Sequence, residues 1–175
     1  GRREVEVSVQ TTYPWNGDVS LTFQKDYKGE VRLRIPGWCK NFSISKNNEE
    51  TKEYTVDRGY AVLQGKWAKD DCISLTLDMP VELVEADPNV KADQGLRAIQ
   101  RGPLVYCAEQ IDNVENFEQL AVSKGMEWDL VDVQMMGGIR TLDSERDGQR
   151  IRLIPYYSWD NREACEMKVW LPFAE

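Results

Sequence analysis

Two acidic residues that follow an apolar run are the first candidates for chemistry in this sequence. Glu109 and Asp112 come directly after the run that ends at Ala108, so both could point into a cleft. A glycosidase needs two carboxyl groups held about 5–10 Å apart across its sugar, and sequence spacing does not show that arrangement. We therefore prefer to interpret both residues as part of a capped strand end or a satisfied loop.

The second candidate is an aromatic stretch that reads IPYYSWDNR over residues 154–162. Such a stretch can bind a sugar, because rings stack on C–H faces while amide, carboxylate and guanidinium groups bind the hydroxyls. The interpretation that we prefer is an aromatic corner of a β-module whose polar tips meet a neighbouring domain. The candidate sugar-contact or domain-contact residues of the two stretches are Glu109, Asp112, Tyr156, Tyr157, Trp159, Asp160, Asn161 and Arg162.

Other catalytic chemistries find little support in the sequence. The chain has no histidine, which excludes a serine hydrolase of the usual kind. Its four cysteines, at positions 39, 72, 107 and 165, form no CxxC pair, so a zinc site would require unrelated loops to converge. Cys72 and Cys107 lie in apolar strand patterns and are most simply small buried thiols, although disulfides stay open. We assign no catalytic, cofactor-binding or metal-binding residue to this chain.

Composition narrows the class of protein. Hydrophobic residues make up 41% of the 175 residues and charged residues 30%, which is the profile of a globular protein. The net charge of −8 would repel a phosphate backbone, so we expect no nucleic-acid partner. No apolar run approaches the roughly 18 residues that span a bilayer, so we expect no membrane segment.

Short strands are expected to position the candidate residues. Residues 4–11 alternate valine with polar residues, which predicts a half-buried strand. Eight such segments precede residue 87, separated by turn signals such as Asn16-Gly17 and GKWAKDD, a predicted turn with Trp67 at its centre. Spacing of this kind is typical of an antiparallel sandwich.

The second half is organised around residues 97–109, which read RAIQRGPLVYCAE. The five weakly polar or apolar residues after Pro103 predict a central strand that is buried on both faces. Residues 110–126 are less regular and predict a long loop or one helical turn around Phe117. Asp147-Gly148 predicts a hairpin turn.

The polar stretch DPNVKADQ is interpreted as the boundary between two modules. We predict a first β-sandwich module over 1–87, a linker at 88–92 and a second β-module over 93–175. The expected fold is all-β, an antiparallel and jelly-roll-like β-sandwich built from two small packed modules. Because the chain opens directly on a strand, it looks like a piece of something longer.

Five motifs together resemble a known family. They are TTYPWNGDV (11–19), LRIPGW (33–38), GYAVLQGKWAKDD (59–71), QRGPLVYCAEQIDN (100–113) and LIPYYSWDNREACEMKVWLP (153–172). In this order they resemble the C-terminal part of glycoside hydrolase family 127, the β-L-arabinofuranosidase-like proteins. The resemblance covers almost the whole chain and is weakest over 114–150.

The resemblance implies that catalysis belongs to an N-terminal (α/α)6 barrel, with a zinc-bound cysteine as nucleophile and a glutamate as acid/base. None of these roles can be carried onto this chain, which has no histidine, no adjacent cysteine pair and no helical-barrel pattern. Zinc is thus implied only for that barrel. The implied partners are the barrel, on the same polypeptide, and plant-type arabinose-containing glycans.

We therefore expect a non-catalytic β-sandwich region that braces the barrel and completes one wall of the substrate cleft. The alternative is an autonomous carbohydrate-binding module that uses the cluster around Tyr156 and Trp159. An independent hydrolase that pairs Glu109 with another acid is the least favoured interpretation.

Overall fold

The structure is a computed structural model that describes residues 4–115, 117–146 and 149–174, without the side chains at 146 and 149. Its strands are β1 (Val7–Thr11), β2 (Asp18–Phe23), β3 (Tyr27–Arg34), β4 (Phe42–Lys46), β5 (Glu49–Glu50), β6 (Thr55–Asp57), β7 (Tyr60–Trp67), β8 (Cys72–Leu77), β9 (Val81–Val84), β10 (Leu96–Arg101), β11 (Leu104–Glu109), β12 (Val122–Ser123), β13 (Asp129–Val133), β14 (Ile139–Arg146), β15 (Gln149–Pro155), β16 (Met167–Lys168) and β17 (Leu171–Ala174). Short 3₁₀ turns cover Lys91–Asp93, Gln110–Asp112, Phe117–Gln119 and Tyr156–Ser158.

The prediction of an all-β, mainly antiparallel fold is confirmed, with β12 and β17 forming a parallel pair. The chain divides into two compact units, Gly1–Met79 and Pro80–Glu175. The linker predicted at 88–92 lies inside the second unit, because β9 pairs with β10 across it. The pairing of β9 with β10 keeps both strands in the second unit. The polar turn residues between them do not show in the sequence that the two strands pair. Within the described ranges, no helix is long and apolar enough to cross a membrane.

The first unit is a sandwich of two sheets, ordered β1-β2-β8-β4-β5 and β3-β7-β6. Buried side chains from both sheets form one core, which includes Phe23, Ile44, Ile73, Leu63 and Trp67. The turn predicted around Trp67 is wrong for that residue. Trp67 ends β7, is 4% exposed and stacks on Phe23 with ring centroids 5.3 Å apart. The strand extends this far because β7 pairs with the whole of β3, up to Tyr27 opposite Trp67.

The prediction that the first strand is half-buried is also wrong. All five residues of β1 are exposed. Val7 and Val9 pair with Phe23 and Leu21 of β2, so they continue the row of residues that faces the core. They stay uncovered because β1 is the edge strand of a five-stranded sheet that is opposed by three strands.

The second unit holds one sheet, ordered β12-β17-β10-β11-β15-β14-β13, with β9 also pairing β10 and β16 pairing β11. The central position predicted for β11 is confirmed, and all of its residues except Val105 are buried. Phe117 begins a 3₁₀ turn and is buried. The hairpin turn predicted at Asp147-Gly148 lies outside the described residues, while the flanking strands β14 and β15 pair antiparallel.

Candidate functional site

The loop that follows β15 returns to the end of β11, and this return brings the two candidate stretches together. β11 delivers Glu109, and the 3₁₀ turn after it carries Asp112. From the loop, the backbone N–H of Asp160 donates to Glu109 Oε1 at 2.8 Å. Arg162 reaches both carboxylates, so residues 50 or more positions apart in sequence form one cluster.

Arg162 binds the two carboxylates at once. Its Nη1 donates to Asp112 Oδ1 at 2.9 Å, and its Nη2 donates to Asp112 Oδ2 at 2.5 Å and to Glu109 Oε2. These hydrogen bonds, those to Asp112 most strongly, raise the pKa of Arg162 although burial acts in the opposite direction. The Arg162 guanidinium is therefore charged at physiological pH.

Both carboxylate oxygens of Glu109 accept hydrogen bonds within this cluster. Its side chain is 2% exposed, and each of its oxygens accepts a hydrogen bond, one from Asp160 and one from Arg162. A buried carboxylate needs such partners, because an unpaired buried charge is costly. The geometry favours the interpretation of Glu109 and Asp112 as a satisfied loop anchor over that of a free acid/base pair.

The aromatic residues of the same loop point outward. Tyr156 and Trp159 are 44% and 37% exposed, and their rings stack with centroids 6.5 Å apart and an interplanar angle of 16°. Tyr157 is 53% exposed. The arrangement offers flat apolar surface to a sugar ring or to a neighbouring domain.

Hydrogen bonds within the loop fix its shape. The buried Ser158 hydroxyl donates to the carbonyl of Pro155 at 2.6 Å, and Asn161 Nδ2 donates to the carbonyl of Trp159 at 2.9 Å. Asp160 adopts a left-handed conformation, with φ of 58°, which aspartate tolerates better than most residues. The aromatic pair is thus held on a shaped loop that Arg162 anchors to β11.

Two further polar residues support the cluster and were missed by the sequence analysis. Asn113 donates from Nδ2 to the carbonyls of Glu109 and Arg152, at 2.8 and 3.0 Å, and accepts from the Arg152 N–H at 3.0 Å. It therefore ties the end of β11 to β15. A buried asparagine in an irregular stretch gives no local signal of this role.

The second missed residue is Asp143 on β14. It accepts from Thr141 Oγ1 at 2.9 Å, from Arg150 Nη2 at 2.5 Å and from Arg152 Nη2 at 2.6 Å. Burial alone would raise the pKa of Asp143, but these hydrogen bonds outweigh it and lower the pKa. The residue is a buried ion-pair acceptor next to the strand that precedes the aromatic loop.

The described residues include cysteines and carboxylates, which belong to the ligand set of a zinc centre. In the described part of the chain, no group of three or more cysteine, aspartate or glutamate side chains is placed to hold a metal ion. The four cysteines are free thiols. Burial raises the pKa of Cys107 to about 12, so this thiol is not poised to act as a nucleophile or a ligand.

Comparison with known proteins covers both units. The family model "Beta-L-arabinofuranosidase, GH127 middle domain" matches residues 1–79, and "Glycoside hydrolase family 127 C-terminal domain" matches residues 81–172. A curated relative, the non-reducing end beta-L-arabinofuranosidase of Bifidobacterium longum subsp. longum, is 31% identical over 195 residues. That match covers 94% of this chain and 30% of the relative.

Solved structures show the same fold inside longer chains. A GH127 beta-L-arabinofuranosidase from Geobacillus stearothermophilus T6 aligns with a TM-score of 0.87 and 31% identity, over 97% of this chain and 31% of that one. A GH127 beta-arabinofuranosidase aligns with a TM-score of 0.85 and 32% identity, over 97% and 32%. The chain therefore spans about 30% of the length of the relatives that it matches.

Proposed function

This chain belongs to glycoside hydrolase family 127, and from that membership we propose that it is the non-catalytic β-sandwich portion of a β-L-arabinofuranosidase-like enzyme. In this proposal it follows a catalytic domain on one polypeptide, which we call the parent polypeptide. It braces that domain, and its aromatic loop completes one wall of the substrate cleft.

The observation that carries the proposal is the extent of the match. Middle-domain and C-terminal-domain models account for residues 1–79 and 81–172, whereas about 70% of the curated relative lies outside the match. The state of the candidate acids gives further support, because Arg162 and Asp160 already occupy both oxygens of Glu109. We accordingly assign the bond-breaking chemistry, and the zinc that the resemblance implies, to the preceding domain.

The anchored loop suits a positioning role. A wall of a substrate cleft must hold its contacts in place before the substrate arrives, because loose groups lose orientation. The Arg162 bridge to Glu109 and Asp112 provides that rigidity, and the exposed Tyr156–Trp159 pair provides the contact surface.

The proposal is tested by Trp159→Ala in the parent polypeptide. We expect a higher KM for an arabinofuranoside with a nearly unchanged kcat, because the residue contributes binding surface and no chemistry. The matched control is Tyr60→Ala, a ring with the same 37% exposure on the first unit, which should leave KM unchanged. An unaltered KM for Trp159→Ala would remove the cleft-wall role.

A second candidate function is supported by one observation, the exposure of the stacked Tyr156–Trp159 pair. Such a pair could make this chain an autonomous carbohydrate-binding module. Calorimetric titration of the isolated chain with arabinose-containing oligosaccharides distinguishes the carbohydrate-binding module from the main proposal. The main proposal predicts no heat, and sub-millimolar binding that Trp159→Ala abolishes without loss of stability would favour the module.

A further inference from the structure

A row of uncovered valines marks one side of the first unit. Val5, Val7 and Val9 are 47%, 38% and 55% exposed. Val7 and Val9 are alternate residues of β1, so their side chains point to the same side and lie about 7 Å apart along the strand at its usual rise. Val5 lies just before the strand. Ser8 and Gln10, on the other side of β1, are polar. We call the three valines the valine stripe.

The two valines of the stripe that belong to β1, Val7 and Val9, lie on the core side of its sheet. Val7 and Val9 stand opposite Phe23, which is 1% exposed, and Leu21, which packs against the core. The stripe thus extends the apolar layer of the sandwich beyond the reach of the three-stranded sheet. An apolar layer that continues past its own cover is a surface suited to another partner.

The two edges of the same sheet differ in kind. β5, at one edge, consists of Glu49 and Glu50. β1, at the other edge, reads VSVQT and carries no charge. Proteins commonly protect exposed edge strands with charged side chains, so β5 has the composition of an edge that faces water. β1 has the composition of an edge that is covered.

We propose that, in the parent polypeptide, the valine stripe packs against the domain that precedes the middle domain. The inference rests on the proposed function and names the surface through which the bracing acts. The occupant follows from the comparisons: residues 1–79 match a domain that is the middle one of its family, and the matched relative is about three times as long as this region.

The size of the stripe favours a tethered partner over a second copy of this chain. Three half-exposed valines offer far less area than the roughly 800 Å² per partner of a stable interface between separate molecules. A domain on the same polypeptide is held at an effective concentration in the millimolar range, so a smaller surface is enough.

The test compares Val7→Lys/Val9→Lys with a control on the opposite side of the same strand, Ser8→Lys/Gln10→Lys. In the isolated chain, both double variants should melt within about 2 °C of the unchanged protein, because all four residues are exposed. In the parent polypeptide, the valine variant should lower Tm by about 5 °C or more, and the control should not.

Equal melting of the two double variants in the parent polypeptide would overturn the inference. Concentration-dependent dimerisation of the isolated chain that the valine variant abolishes would also overturn it, by making a second copy the occupant. The cleft-wall role is tested by a different measurement, the KM of Trp159→Ala. Failure of the cleft-wall role and failure of the valine-stripe contact can therefore be told apart.

Discussion

Arg162 is the residue on which the geometry of the aromatic loop depends, because it neutralises a carboxylate that is 2% exposed. We expect Arg162→Met to lower the free energy of unfolding by about 3–5 kcal/mol, since it leaves Glu109 as an unpaired buried charge. Urea unfolding of the isolated chain measures the change. Arg58→Met, whose side chain is 93% exposed, is the control and should cost less than about 0.5 kcal/mol. Equal stability of the two variants would show that the bridge is not structural.

Ionised Asp143 stabilises the folded protein, and this contribution is lost in acid. Its pKa is lowered in the folded protein, since hydrogen bonds from Arg152, Arg150 and Thr141 outweigh burial. A lowered folded-state pKa means that its contribution is fully present above the unfolded value of about 3.9 and is lost as the pH falls through the folded value.

Asp143→Asn should therefore lower the unfolding free energy at pH 7 by about 1.5–3 kcal/mol, the range for hydrogen bonds to a charged group. Its stability should also fall less steeply than that of the unchanged protein below about pH 4. Urea unfolding between pH 2 and 7 measures both effects. Asp129→Asn, at an exposed position of β13, should keep the full acid dependence, and identical pH profiles for the two variants would contradict the assignment.

Among the elements, β7 shows how tertiary packing decides the role of a tryptophan. Trp67 is 4% exposed and stacks on Phe23, whereas Trp159 is 37% exposed. Trp67→Ala should cost about 3–5 kcal/mol, the usual range for deleting a buried tryptophan. Trp159→Ala should cost about 1 kcal/mol or less, because much of its ring already faces water. Thermal unfolding of the two variants side by side measures the contrast, and a reversed order would place the wrong ring in the core.

The existence of the strands and the central position of β11 could be predicted from the sequence, whereas the exposure of β1 and the burial of Trp67 could not. Gly102-Pro103 and the apolar run after it were enough to predict β11 as a central strand, because turn chemistry and hydrophobicity are local signals. The exposure of Val7 and the burial of Trp67 depend on how far the opposing sheet extends, which no local pattern records.

The same limit applied to the candidate site. Glu109 was singled out as an acid that follows a predicted strand, and Arg162 as a guanidinium group next to the aromatic stretch. Their direct contact arises from the pairing of β11 with β15 and the return of the loop, over a separation of 53 residues. The sequence therefore identifies Glu109 and Arg162 as candidates, but only the fold shows that the two side chains form an ion pair.

At the scale of the whole molecule, the chain is two compact β units that match the middle and C-terminal domains of a glycosidase family. Family motifs in the right order were sufficient for that assignment, because turn, aromatic and strand residues recur together in them. Glu109 and Asp112, the two acids singled out in the sequence, are both bound to Arg162 in the structure.

The most direct test of the central claim is an activity assay of the isolated chain with an aryl β-L-arabinofuranoside, with and without added zinc. We predict no turnover in either condition, while the parent polypeptide, assayed in parallel, hydrolyses the substrate. Turnover by the isolated chain that Glu109→Gln abolishes, in a variant shown by circular dichroism to be folded, would contradict a non-catalytic role.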